Sequence, residues 1–145
     1  SGLKGWQTSG AKDGCLQRVR FTGAKVSMPR SLNIHENGIR VGFTQQLDKE
    51  LAEDLDSWQI EQWNYQWTSK YGSKEYKVSE PSATGHDKVE VRSARLLPGG
   101  QEVFLEIPNL GPVMQMKIEF DLETANGDEM IGALHNTIHA LGPAL

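Results

Sequence analysis

The chain has 145 residues with 19 acidic and 15 basic side chains, a formal charge of −4 at neutral pH and a pI near 5.5. That length suits one domain whose core needs neither metal nor disulfide staples. The basic residues stand singly or in pairs, which excludes the footprint of a nucleic-acid binder, and no apolar run reaches the roughly 18 residues needed to cross a bilayer.

Residues 1–14 are rich in Gly, Ser, Thr and Lys without a period, and read as a linker or loosely held arm before a domain over 15–145. No signal peptide is legible there, and the Ser1-Gly2 start is expected of a fragment cut from something longer. Cys15 is the single cysteine, so it forms no intramolecular disulfide and is expected to pack as a small hydrophobe.

Alternation over Leu16 to Thr22 predicts a first strand, broken by Met28-Pro29-Arg30. Ser31 to His35 and Gly38 to Phe43 predict a hairpin around Asn37-Gly38, with Ile39, Val41 and Phe43 facing inward. Leu47, Leu51 and Leu55 recur every four residues, the mark of a short helix.

Trp58 and Ile60 then share one parity, whereas Trp63, Tyr65 and Trp67 share the other. On a regular strand the two sets point to opposite faces, so either a bulge near Gln62 flips the register or the chain displays aromatic rings to solvent. Thr68 to His86 is polar, punctuated by Gly72, Pro81 and Gly85, and long enough for a functional loop. Lys88 to Leu97 and Glu102 to Ile107 predict a hairpin around Pro98-Gly99-Gly100. Val113 to Leu122 alternates strictly, and Asn126-Gly127 turns the chain into a last segment. Many short strands, regular turns and little helix predict an all-β fold, an Ig-like two-sheet β-sandwich with one short helix.

The stretch Asn37-Gly-Ile-Arg-Val-Gly-Phe-Thr-Gln-Gln-Leu-Asp48, Trp58, and the stretch from Val91 to Pro108 resemble bacterial Ig-like domains over most of residues 31–122. Trp63-Asn-Tyr-Gln-Trp67 and Asn136-Thr-Ile-His-Ala-Leu-Gly-Pro143 are similar to a C-terminal domain of large secreted planctomycete-type multi-domain proteins, found beside c-type haem or dehydrogenase modules. The resemblance implies an exported accessory domain, secreted or at the cell surface, and carries over no activity.

Ring faces stack on the C–H faces of sugars, so Trp63, Tyr65 and Trp67, continued by Tyr71 and Tyr76, form a candidate polysaccharide platform. Asn64 and Lys70, with Gln62 and Gln66, are the candidate polar contacts to hydroxyls. The competing reading makes the rings core, or the cover of a sheet under the Thr68 to His86 loop.

His135 and His139 share a face, and His35, His86, Cys15, Met114 and Met116 are the further soft donors, yet no local ligand loop joins them, so structural histidines and no metal are expected. The acidic clusters at Asp48, Glu50, Glu53, Asp54 and Asp56 and at Glu123, Asn126, Asp128 and Glu129 lack EF-hand order, and read as a solvated helix face and a turn. The motifs of serine hydrolases, zinc proteases, P-loop enzymes and dinucleotide binders are absent from the sequence, and a glycosidase carboxylate pair is disfavoured by the domain's size. A non-catalytic, cofactor-free carbohydrate-binding module is the expected function. The alternative is a spacer or interaction domain that packs against a neighbouring haem or dehydrogenase module.

Overall fold

The computed structural model describes residues 18–145. Two antiparallel sheets enclose one apolar core, the two-sheet sandwich that the alternating runs predict. The first sheet has the order β1 (Pro29–His35), β2 (Gly38–Phe43), β7 (Glu102–Glu106), β6 (Ser93–Leu96). The second has the order β4 (Glu75–Tyr76), β3 (Trp58–Tyr65), β8 (Val113–Glu123), β9 (Glu129–Ile138), and β5 (Asp87–Lys88) shares with β4 the free side of β3. The chain crosses from the first sheet to the second through α1 (Lys49–Glu53) and a 3-10 turn (Leu55–Ser57).

Ile39, Val41 and Phe43 are fully buried, as their parity predicts, and meet Trp58, Ile60, Ile118, Phe120 and Leu122 of the opposite sheet in one cluster. Phe43 meets Phe120 edge-on at 5.4 Å and Trp58 at 6.4 Å. Each such side chain contributes about 1.5–3 kcal/mol of transfer free energy, so this inter-sheet cluster is the main support of the fold. Gly132 of β9 admits the Phe120 ring, since a Cβ there would lie 2.7 Å from Phe120 Cζ.

The leucines spaced by four do not share one helical face. Leu47 is buried and bridged to Thr124, Leu51 is half-buried within α1, and Leu55 is 42% exposed in the 3-10 turn. The acids between them cap: Asp48 accepts from the Leu51 amide at 3.0 Å and Asp54 from the Asp56 amide at 3.1 Å. Such caps satisfy amides that a short helix leaves unpaired, which explains Asp48 and Asp54 without an ion.

Several elements differ from expectation. Residues 18–22 form no strand, and Val19 and Phe21 stand almost fully in solvent, because alternation alone cannot make a strand without a ladder partner. Leu16, Gln17, Cys15 and the arm at 1–14 lie outside the described residues. β1 begins at Pro29 itself, which an edge strand tolerates at its first position, with a bulge before Ser31. In the β1–β2 hairpin the turn residues are Glu36 and Asn37, while Gly38 belongs to β2 and lies against the Leu105 carbonyl and the Phe104 ring. Its lack of a Cβ serves close packing rather than the turn. The segment expected as one strand before Leu97 is two, β5 in the second sheet and β6 in the first. A bulge between Val113 and Met116 puts Val113 in the core and leaves Met114 half-exposed.

Candidate functional site

β3 carries the aromatic run, and its pairing with β8 is regular from Trp58↔Phe120 to Trp63↔Gln115. No register flip occurs at Gln62. Trp58 and Ile60 enter the inter-sheet core, whereas Trp63 lies with Gln59 and Glu61 on the outer face. Trp63 is nonetheless only 5% exposed. The ring faces outward and the returning segment that ends at His86 covers it, as the reading of the rings as sheet cover under the Thr68 to His86 loop has it.

The cover is His86, stacked on Trp63 with ring centroids 4.0 Å apart and planes 10° from parallel. His135 of β9 meets the same indole edge-on at 6.5 Å. Trp63 Nε1 donates to the Tyr65 hydroxyl at 3.0 Å, which uses the polar end of the indole. His86 in turn sits between two carboxylates, with Nδ1 3.0 Å from Glu61 and Nε2 2.8 Å from Glu75. Both nitrogens donate only in the imidazolium, so this arrangement selects the charged ring. The hydrogen bond with Glu61, then that with Glu75, raises the His86 pKa above its ordinary value against the opposing effect of burial. The same bond with His86 holds the Glu61 pKa below the ordinary carboxylate range.

Asp87 anchors the next turn of chain. Burial raises its pKa, but the hydroxyl and amide of Ser79 and the amide of Val78 all donate to its carboxylate, and the net shift is downward. His86 and Asp87 thus fasten the segment that follows β4 onto β3.

β3 ends at Tyr65, so Trp67 is not a third rung of the strand. Gln66 closes the base of the loop that follows: its amide donates to Ser73 Oγ at 2.9 Å and its side chain to the Pro81 carbonyl at 2.8 Å. Gly72 supplies a left-handed φ of 81° near the loop's far end. Between these points Trp67 and Tyr71 project fully into solvent. Lys70, Tyr71 and Tyr76, with Thr68, Ser73 and Lys74, line an open depression of about 540 Å³.

The seven candidate residues therefore divide. Lys70, Tyr71 and Tyr76 come together in the depression, and Trp67 stands exposed at the start of the same loop. Tyr65 is partly exposed at its base and bonded to Trp63. Trp63 is withdrawn from solvent, which corrects the expected flat ribbon of three rings. Asn64 is tied to β8, where its Oδ1 accepts from the Met114 amide at 2.9 Å. The residues that position the loop, Glu61, Glu75 and His86, carry no legible sequence signal, since 25 residues separate Glu61 from His86.

Among the described residues no three His, Cys, Asp or Glu side chains gather as a metal site. No protein-family model, curated protein or solved structure matches the chain.

Proposed function

We propose that this domain is a secreted, non-catalytic accessory module that binds polysaccharide through the loop between β3 and β4. The observation that carries the reading is the full exposure of Trp67 and Tyr71 on one loop whose base is hydrogen-bonded shut. Large apolar rings held in water on a pinned loop are surfaces for a partner, and their faces suit the C–H faces of sugar rings. Lys70 offers hydrogen bonds to hydroxyls, and Tyr76 lines the same depression. A pinned base lowers the ordering cost that a free loop would meet on binding. Glu75, the carboxylate beside this loop, is engaged by His86, which favours binding over hydrolysis.

Affinity electrophoresis of the whole chain through plant and algal polysaccharides tests the reading. Retardation by at least one polymer is expected, with Trp67→Ala and Tyr71→Ala abolishing it at unchanged melting temperature. Retardation that survives both substitutions, or none across the panel, overturns the assignment.

A second reading, docking against a neighbouring domain such as a haem or dehydrogenase module, is favoured by the exposed Val19 and Phe21 in the segment before β1.

A further inference from the structure

Phe104 is an anomaly of the first sheet. Its neighbours Val103 and Leu105 enter the core, so it points outward, yet it is only 4% exposed. Cross-strand pairing places Asn33, Arg40, Phe104 and Arg95 side by side across all four strands. The Arg95 guanidinium carbon lies 5.8 Å from the Phe104 centroid, and His35 meets the ring edge-on at 6.1 Å. Gly38 makes room for the ring, whose Cζ would stand 2.7 Å from a Cβ there.

The charges of this face do not balance locally. Among the described residues, neither Arg40 nor Arg95 has a carboxylate within 4.0 Å. Glu106, on the same face, is engaged by Arg92 at 3.3 Å and by the Ser93 hydroxyl at 2.9 Å. Glu102 is also on this face and reaches neither Arg40 nor Arg95. Arg40 Nε is shut off from solvent with no acceptor. His35 Nε2 is likewise without a partner, while its Nδ1–H donates to the Pro143 carbonyl at 2.8 Å. A guanidinium stripped of part of its hydration with no counter-charge is a standing free-energy cost that an anion would offset.

We propose that this row is a carboxylate-binding subsite for a uronate-bearing polysaccharide, with Arg40 and Arg95 donating to the sugar carboxylate. Two arginines in one cross-strand row carry planar forks, the geometry that carboxylates accept. A uronate joins that carboxylate to hydroxyl donors, and the loop assignment already makes the ligand a polysaccharide, which favours uronate over an acidic peptide. The proposal shares with the loop assignment the premise that the ligand is polysaccharide. It concerns the other sheet.

Affinity electrophoresis of the whole chain in polygalacturonate, in its fully methyl-esterified form and in polyglutamate tests the subsite. Because the chain carries a net charge of −4, bulk attraction to a polyanion does not explain retention. Stronger retention by polygalacturonate than by its ester or by polyglutamate is expected. Arg95→Gln, an exposed substitution, should weaken polygalacturonate retention about tenfold and leave the ester unaffected, with Arg95→Lys intermediate. Arg40→Gln should match Arg95→Gln once an unchanged melting temperature shows it folded. Equal retention by polymer and ester, comparable retention by polyglutamate, or indifference to Arg95→Gln overturns the subsite. Trp67→Ala separates the two assignments: it should abolish retention by both polymer and ester, and indifference to it alone sinks the loop reading while the subsite stands.

Discussion

Trp63 and His86 lie face to face, 4.0 Å between ring centroids, although their sequence neighbours gave no reason to join them. The stack turns an outward-facing tryptophan into a buried one and ties the segment beyond β4 to the strand that begins the ligand loop. It also places a titratable group where its charge state affects the attachment.

Stability should therefore follow pH through His86. Its folded pKa lies above the ordinary 6.5, so the clasp contributes fully below that value and is lost as pH rises through the folded pKa. Glu61 works oppositely: its folded pKa is below 4.5, so its contribution is present above 4.5 and lost as pH falls through the folded value. His86, Glu61 and Glu75 are all partly exposed, and the screened contribution is at most about 1 kcal/mol. Urea midpoints measured from pH 5 to 9 should fall on the alkaline side, and His86→Gln should flatten that fall relative to the parent. An identical profile in the variant would show that the clasp does not titrate as described.

Trp63→Ala should cost roughly 3 kcal/mol or more, in the class of Trp58→Ala, because both indoles are about 95% removed from solvent. Trp67→Ala should change the unfolding free energy by less than about 0.5 kcal/mol. Chemical denaturation of the three variants checks the order, and a Trp63→Ala protein as stable as Trp67→Ala would contradict the stacked cover.

Gly132→Ala should destabilise by about 1–3 kcal/mol, as overpacking does, since the added methyl meets the Phe120 ring in the core. Thermal unfolding reads this directly, and the double variant with Phe120→Leu should lose less than the sum of the two single losses.

Val19→Asp together with Phe21→Asp should leave the melting temperature unchanged, because both side chains stand free of the sandwich. A drop of several degrees would mean that the segment packs on this domain rather than beyond it.

Much of the fold was legible along the chain. Period-two alternation identified the inward face of β2 and, from Met116 onward, that of β8, and the parity of Trp58 and Ile60 against Trp63 put them on opposite faces of β3. Tight turns at Pro98-Gly99-Gly100 and Asn126-Gly127 were equally local, since backbone constraints in a turn are carried by the residues within it. Alternation reports which way a side chain points and nothing about what lies there. Whether Trp63 would be platform or interior depended on His86 returning across the sheet, and whether residues 18–22 became a strand depended on a partner edge. The same limit hid the row Asn33, Arg40, Phe104 and Arg95, which exists only once four strands are in register. Cover, pairing and charge balance are relations between segments distant in sequence, and the tertiary structure alone decided them.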